Sequence, residues 1–226
     1  MIKAVIFDID NTLYNYDEAH EAAFPELCRY VKEQFGWDAA FFEREHKAAY
    51  REIREELGEQ SAIHNRLIRY QRILEKNGCP LCPHVTAMAS LYWTALLDAM
   101  VPSEGAAEVF AGLKARGLTI GIGTDMTAYV QFRKLEKLGL LPCVDFVVTS
   151  EESGAEKPEK ALFKLCRKKA GAEAQECLFV GDNPKKDVRG ALAAGMQACH
   201  FSPDRAAEGE GYVVIRKLKE LLQIVP

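Results

Sequence analysis

The chain has 226 residues, of which 48% are hydrophobic and 27% charged, and its formal net charge is −4. These proportions are typical of a folded globular protein and exclude a disordered chain. The sequence has no long basic run and no long apolar run, so it predicts neither a nucleic-acid polymer as partner nor a membrane span or signal peptide. The seven cysteines are scattered and odd in number, which favours reduced core residues in a cytoplasmic protein.

Two of these cysteines, Cys79 and Cys82, have the spacing of a metal or redox pair, and His84 follows them. A structural zinc site needs four ligands, and the sequence has no second pair of this kind. A redox pair is expected at a strand-to-helix junction, whereas this one lies between two helical stretches. We therefore interpret the segment as a loop that holds two thiols.

The chain begins with a strand and then becomes helical. Residues 2–7 form a short apolar run typical of a buried strand, and helical periodicity follows from about residue 17 to 99. Pro25 is expected to start or kink a helix. Three glycines break the helical region at nearly even intervals: Gly36, Gly58 and Gly78. The pattern predicts about four helices joined by short turns.

After Pro102 the sequence alternates between strand and helix patterns. The short apolar runs lie at 118–122, 146–148, 178–180, 198–201 and 212–215, with amphipathic segments between them. Repeated strand–helix units predict an α/β fold with a doubly wound, Rossmann-like parallel sheet. We expect a catalytic core of residues 1–15 plus 100–226, interrupted by an all-helical domain of residues 16–99.

The first candidate site residues directly follow the first strand. Asp8 and Asp10 point the same way if the extended backbone continues, and crowded carboxylates need a cation or a proton. Mg²⁺ prefers oxygen ligands and takes one or two protein carboxylates, and an aspartate can also be a nucleophile towards phosphorus. A solvated loop whose aspartates cap the next turn is the alternative interpretation.

Three further patterns follow at predicted strand ends or turns. Thr124 and Asp125 offer a hydroxyl and backbone N–H groups that suit phosphate oxygens. The carboxylate of Asp125 either binds a substrate group or caps a helix, and we interpret it as a cap. Lys157 precedes a proline at a predicted helix start. Asp182 and Asp187 bracket a turn that begins with a glycine. In a doubly wound sheet, such residues meet at the carboxyl ends of the strands.

In this order the residues resemble the haloacid dehalogenase-like superfamily over essentially the whole chain. Asp8-Ile9-Asp10-Asn11-Thr12 is similar to its first motif, Thr124 to its second, Lys157 to its third, and Gly181-Asp182 through Asp187 to its fourth. The helical insertion resembles the first class of cap domain in this family. Asn11 stands where glycine is commoner, and asparagine also accepts unusual turn dihedrals.

The resemblance implies a magnesium-dependent phosphatase that forms a phosphoaspartate. Asp8 would be the nucleophile and also a metal ligand. Asp10 would act as general acid and then as general base, and its main-chain carbonyl would bind the metal. Asp182 would be a further metal ligand. Thr124 and Lys157 would hold the phosphoryl group. A general acid benefits from a raised pKa, and crowding near Asp8 and Asp182 could raise that of Asp10. The supporting residues would be the following: Thr12, Asn183 and Asp187.

Asp10 favours ester hydrolysis over dehalogenation, because a halide leaves without a proton whereas an alkoxide needs one. A sugar phosphomutase stays an alternative, since His20 lies at the same distance in sequence from Asp8 as a cap histidine lies from the nucleophile in those relatives. A catalytically silent binding protein on the same fold is a further alternative. Six aromatic residues of this region could stack on a base or fill the helical core, and we interpret them as core: Tyr14, Tyr16, Phe24, Tyr30, Trp37 and Trp93. The substrate is expected to be a small phosphorylated metabolite such as a nucleotide or sugar phosphate, and the protein a monomer or homodimer.

Overall fold

The computed structural model describes residues 1–203 and 211–225, and the chain divides into two compact units. The first, here called the core unit, comprises Met1–Asn15 and Val101–Pro226. The second, here called the helical unit, comprises Tyr16–Met100. Among the described residues, no helix is both long and apolar enough to cross a membrane.

Within its described residues, the core unit contains one six-stranded sheet in which all neighbouring strands are parallel. Its strands are β1 (Ala4–Phe7), β2 (Thr119–Thr124), β3 (Phe146–Thr149), β4 (Cys177–Gly181), β5 (Gln197–Phe201) and β6 (Val213–Ile215). Their order is β3-β2-β1-β4-β5-β6, so the direction of winding reverses between β1 and β4. The predicted doubly wound parallel sheet is confirmed.

Helices precede, separate and follow the strands of the core unit. They are α5 (Ala106–Ala115), α6 (Ala128–Lys137), α7 (Ser150–Ser153), α8 (Lys160–Ala170), α9 (Arg189–Ala193) and α10 (Leu221–Ile224), with a π-helical turn at Pro184–Val188. All four residues of β1 are buried, as expected for a central strand covered on both faces. This explains why its sequence is a continuous apolar run and not an alternating one.

The helical unit contains four α-helices: α1 (Tyr16–Phe35), α2 (Ala39–Leu57), α3 (Arg66–Lys76) and α4 (His84–Ala99). A short 3₁₀ segment, Ser61–His64, precedes α3. Gly36, Gly58 and Gly78 follow the helix ends with φ of 71°, 70° and 64°, a conformation that glycine adopts without strain. The predicted set of helices is confirmed in this unit, but Pro25 lies inside α1 and does not start a helix.

Each of the seven cysteines is a free thiol. Cys79 is half-buried and Cys82 exposed in the loop between α3 and α4, whereas Cys166, Cys177 and Cys199 are buried in the core unit.

Candidate active site

The ends of three strands bring the predicted site residues together. Asp8 directly follows β1, and its backbone N–H donates to the carbonyl of Val180 in β4 at 2.9 Å. Thr124 is the last residue of β2, and Asp182 directly follows β4. Because β1 pairs with both β2 and β4, these three residues lie side by side at the carboxyl edge, where the winding reverses.

Lys157 joins the first and fourth motifs through two buried ion pairs. Its Nζ lies 2.8 Å from Asp8 Oδ1 and 2.7 Å from Asp187 Oδ1. Burial by itself would lower the pKa of Lys157, but Asp187, Asp8 and Asp125 outweigh it and hold that pKa well above its ordinary value. The lysine is therefore charged and fixed beside the Asp8 carboxylate.

Three aspartates form an acidic cluster: Asp8, Asp182 and Asp187 each offer one oxygen, and these oxygens lie within 4.8 Å of one another. Burial, followed by the charges of Asp8 and Asp187, raises the pKa of Asp182 to about 8. Burial also raises the pKa values of Asp8 and Asp187. A bound divalent cation would offset the repulsion between these crowded carboxylates, so the three residues could hold a metal ion.

Gly181 permits this cluster to form. A methyl group at its Cα would overlap the carboxylate of Asp187, which packs directly on the glycine. Asn183 then fixes the turn, because its Oδ1 accepts from the backbone N–H groups of Lys185 and Lys186 at 3.0 Å each. The Asn183 N–H donates to Asp187 Oδ2 at 2.9 Å, so Asn183 orients the acidic cluster from outside it.

The carboxylate of Asp10 is held by three side chains. Lys134 Nζ lies 2.6 and 2.9 Å from its two oxygens, the Tyr14 hydroxyl donates to Oδ1, and Gln131 Nε2 donates to Oδ2 at 3.4 Å. Burial acts to raise the pKa of Asp10, but Lys134 and these hydrogen bonds outweigh it and lower that pKa. The expected raised pKa of Asp10 is therefore wrong, because a buried cation that the sequence analysis did not single out lies beside it.

The loop after β1 has the conformation that its sequence allows. Asn11 has φ of 56°, in the left-handed region that asparagine tolerates. Thr12 is fully buried, and its carbonyl accepts from Ser103 Oγ at 3.0 Å. The predicted supporting residue Thr12 thus anchors the loop through its backbone.

Thr124 lies buried at the end of β2, 1% exposed. Its Oγ1 accepts from Gln131 Nε2 at 2.8 Å, and the same nitrogen donates to the carbonyl of Asp125 at 2.7 Å. Gln131 therefore connects the second motif to Asp10 and fixes the position of the threonine hydroxyl.

The interpretation of Asp125 as a helix cap is wrong. Its Oδ1 accepts from the backbone N–H of Lys157 at 2.8 Å, and its Oδ2 pairs with Lys186 Nζ at 2.8 Å, whereas the residue before α6 is Thr127. Both carboxylate oxygens are thus used in protein contacts, and a carboxylate would also repel phosphate. The Asp125 carboxylate therefore positions Lys157, and the predicted contact of phosphate with backbone N–H groups at this strand end stays a prediction. The adjacent Met126 has φ of 83°, strain of a kind found at functional sites.

Several residues of the site were missed by the sequence analysis. Gln131 and Lys134 lie on the same face of α6 as the apolar Leu135 and Leu138, and all four are buried. Polar residues at core positions of an amphipathic helix are the signal that could have found them. Lys186 lies in the turn between Asp182 and Asp187, and the sequence analysis gave it no role of its own.

His20 and most of the aromatic residues interpreted as core belong to the helical unit. His20 Nδ1 lies 2.8 Å from the Tyr92 hydroxyl, and Phe24 stacks on Phe42 with ring centres 5.6 Å apart. Of the aromatic residues interpreted as core, Tyr14 is buried in the core unit, and the others are half-buried in the helical unit: Tyr16, Phe24, Tyr30, Trp37 and Trp93. The fully buried aromatic residues of the helical unit include Tyr70, Tyr92 and Phe42. Burial, followed by the charge of Arg66, lowers the pKa of His20.

Comparison with known proteins decides the family. The family model of the haloacid dehalogenase-like hydrolases matches residues 2–195. The chain belongs to this family. It is similar to a ribulose-1,5-bisphosphate 5-phosphatase of Halopiger xanaduensis, with 35% identity over 92% of this chain and 88% of the relative. It is also similar to a glyceraldehyde 3-phosphate phosphatase of Methanopyrus kandleri, with 33% identity over 87% and 82%.

A crystal structure of a phosphatase of the family from Thermococcus onnurineus matches with a TM-score of 0.78, at 23% identity, over 99% of this chain and 98% of that one. That likeness shows the shared fold. The predicted family, the hydrolase class and the phosphatase type are confirmed by the family model and the curated relatives. The roles of the individual site residues are proposals.

Proposed function

We propose that the chain is a magnesium-dependent phosphomonoesterase that forms an aspartyl-phosphate on Asp8. The proposal rests chiefly on the surroundings of this carboxylate: Lys157 Nζ at 2.8 Å, and two further aspartate oxygens within 4.8 Å. A fixed cation and a metal-ligating cluster beside one nucleophilic oxygen provide the charge neutralisation that phosphoryl transfer requires.

The acidic cluster fits Mg²⁺ because its ligands are all carboxylate oxygens and because burial and their mutual charge raise their pKa values. Asp8, Asp182 and the carbonyl of Asp10 would hold the ion, with Asp187 supporting it directly or through water. When bound, the ion would neutralise phosphoryl oxygens and the crowded carboxylates.

In the first step, an Asp8 oxygen attacks phosphorus and the bond from phosphorus to the ester oxygen breaks. Asp10 takes up a proton from solvent when the negative phosphoryl group arrives beside it and raises its pKa, and it gives this proton to the leaving alkoxide. In the second step, Asp10 takes a proton from a water molecule that attacks the aspartyl-phosphate. This step releases inorganic phosphate and restores Asp8.

Thr124 and Lys157 hold the transferring phosphoryl group in this proposal. Lys157 is supported because its ammonium lies beside the Asp8 oxygen, and Thr124 because its buried hydroxyl is fixed by Gln131 at the neighbouring strand end. Asp125 orients Lys157 by accepting from its backbone N–H.

The substrate proposed is a small sugar phosphate esterified at a terminal carbon. Ribulose 1,5-bisphosphate and glyceraldehyde 3-phosphate, the substrates in the names of the two relatives, both carry such an ester on a short carbonyl-containing chain. Their alcohol leaving group needs a proton, which Asp10 would supply. This also disfavours dehalogenase chemistry. The expected cytoplasmic location and the oligomeric state stay predictions.

A phosphomutase is the second candidate, and His20 was the residue that raised it. The His20 Nδ1 contact to Tyr92, at 2.8 Å, supports a packing role for this ring within the helical unit. We therefore keep hydrolysis as the proposal.

A phosphate-release screen tests it. The purified protein is incubated with Mg²⁺ and with sugar phosphates, nucleotides and an aryl phosphate, alongside the Asp8→Asn variant. We expect release from terminal sugar phosphates that requires Mg²⁺ and is lost in the variant. If the folded protein releases phosphate from none of these esters in the presence of Mg²⁺, the proposal is wrong.

A further inference from the structure

Helix α3 of the helical unit carries two buried arginines without an acidic partner. Arg66 is 6% exposed and Arg69 4% exposed. Across residues 1–203 and 211–225, neither guanidinium forms an ion pair with an aspartate or glutamate, and their hydrogen bonds go to neutral groups. A buried charge is costly unless it is paired, so two adjacent unpaired cations require an explanation.

Arg66 is surrounded by aromatic hydroxyls. Its Nη2 donates to the hydroxyl oxygens of Tyr16 at 3.0 Å and Tyr92 at 3.3 Å, and its guanidinium carbon lies 4.8 Å from the centre of the Tyr92 ring. The Tyr16 and Tyr92 hydroxyl oxygens are themselves 3.3 Å apart. Cation–π contacts and hydroxyls hold the guanidinium in place but leave its positive charge without a counter-charge. Burial acts to lower the pKa of Arg66, but Tyr92, Tyr16 and Tyr70 outweigh it and raise that pKa.

Arg69 also lacks an acidic partner within the described ranges, and its pKa shifts in the opposite direction. It donates to the carbonyl of Ile63 at 3.1 Å and lies 3.5 Å from His46 Nε2. Burial, with Arg66 and Arg69 adding to it, lowers the pKa of His46 to about 2, so this ring is neutral. Burial and the charge of Arg66 lower the pKa of Arg69 to about 10, as expected for an uncompensated cation.

Three buried polar atoms on this helix have no hydrogen-bond partner among the described residues: Arg66 Nε, Arg69 Nε and Tyr70 Oη. Their spacing of three and four residues places them on one face of α3. Buried donors without acceptors are rare in folded proteins, and a ligand rich in oxygen acceptors would satisfy them.

A third arginine of α3 shows the ordinary arrangement. Arg72 is half-buried and pairs with Glu56 Oε2 at 2.6 Å. The absence of a carboxylate at Arg66 and Arg69 is therefore not a general property of the helix. Tyr16 and His20 at the edge of the group are only half-buried, so solvent reaches part of each side chain.

We propose that the helical unit contains a binding site for a small oxyanion, a phosphate or carboxylate group, formed by an arginine cluster of Arg66, Arg69, Tyr16, Tyr70 and Tyr92. The planar guanidinium groups and tyrosine hydroxyls provide several donors for the oxygens of one anion. The anion comes from one of two sources: a second charged group on the substrate, or a free anion that binds by itself.

Binding is measured with inorganic sulfate as the probe. The chain has two tryptophans, and Trp93 lies with its ring centre 5.7 Å from the Arg66 guanidinium. In a Trp37→Phe protein, Trp93 fluorescence reports on the cluster alone. We expect a saturable change with sulfate at constant ionic strength, with the sulfate affinity falling at least about tenfold in Arg66→Gln and unchanged in Arg72→Gln.

A titration without saturation, or an equal response in Arg66→Gln, would overturn the site. If Arg66→Gln fails to fold, Arg66→Lys retains the charge but loses the planar donors, and its sulfate affinity is expected to fall in the same direction. An affinity unchanged in Arg66→Lys would then overturn the site.

A kinetic comparison separates the two sources, and only this arm rests on the proposed function. If the substrate supplies the anion, Arg66→Gln lowers the ratio of kcat/KM for a sugar bisphosphate to that for an aryl phosphate at least about tenfold. An unchanged ratio together with sulfate binding assigns the site to a free anion. Absence of aryl phosphate hydrolysis in the unsubstituted enzyme would count against the proposed function, while the sulfate titration would still report on the site.

Discussion

Lys134 Nζ lies 2.6 and 2.9 Å from the two carboxylate oxygens of Asp10, and its side chain is fully buried. This ion pair joins helix α6 to the loop after β1. It keeps the proposed acid and base ionised before the substrate arrives. The proton that Asp10 gives to the leaving group must then come to it when the phosphoryl group enters, because that group adds negative charge beside it.

Replacing Lys134 should impair the step in which Asp10 acts as a base. In Lys134→Met the pKa of Asp10 rises, so less of it is ionised and the acidic limb of the kcat profile moves to higher pH. We expect kcat at neutral pH to fall about tenfold or more. Lys137→Met, an exposed change on the same helix, is the control. An unshifted acidic limb in Lys134→Met would remove this role.

Enlarging Gly181 should damage the metal site, because the added methyl group of Gly181→Ala overlaps the Asp187 carboxylate. Asp187 must move, and its ion pair with Lys157 moves with it. We expect the magnesium concentration for half-maximal activity to rise about tenfold or more. Gly112→Ala is a matched control, since its methyl group would meet only the flexible end of Leu222. Equal magnesium dependence in the two variants would contradict the close packing proposed at Gly181.

Magnesium binding should release a proton. The pKa of Asp182 is raised to about 8 in the metal-free protein, so at pH 7 a bound ion must displace a proton from it. The apparent affinity is expected to rise up to about tenfold per pH unit between pH 6 and 8 and to level off above. Calorimetry in two buffers of different ionisation enthalpy measures the released proton. Affinity independent of pH over this range would contradict the assignment of Asp182 as a ligand.

Acid should destabilise the protein through His46. Its pKa is lowered to about 2 from an ordinary value of 6.5, so protonation favours the unfolded state. This stability is fully present above pH 6.5 and is lost as the pH falls towards 2, with a slope approaching about 1.4 kcal/mol per pH unit. The free energy of unfolding, measured by denaturant titration at several pH values between 7 and 5, should depend less steeply on pH in His46→Phe than in the unsubstituted protein. Equal slopes would show that His46 is not the responsible group.

The fold could be predicted because its signals are local. Short apolar runs after Pro102 and the apolar run at residues 2–7 correspond to the six strands, and helical periodicity corresponds to α1–α4. The motif residues could be named because polar groups directly follow those runs, and parallel strands end at one edge. Strand order and the neighbours of each side chain are long-range properties that periodicity does not encode.

The residues that set the electrostatics of the site could not be predicted from motif spacing. Lys134 lies 124 residues from Asp10 in the chain. Asp125 illustrates the same limit: its position after a strand suggested a helix cap, but the Lys157 backbone and Lys186, far away in sequence, take its oxygens. Arg66 and Arg69 had no signal as a pair, because arginine in a helix is usually a surface residue.

A covalent phosphate on Asp8 should be detectable by rapid quenching during turnover of a terminal sugar phosphate with Mg²⁺. Mass spectrometry of the acid-quenched peptides should locate one phosphoryl group on Asp8. The group should be absent from Asp8→Asn, with turnover lowered about a thousandfold or more. Full turnover in Asp8→Asn, or a phosphoryl group on another residue, would show that Asp8 is not the nucleophile.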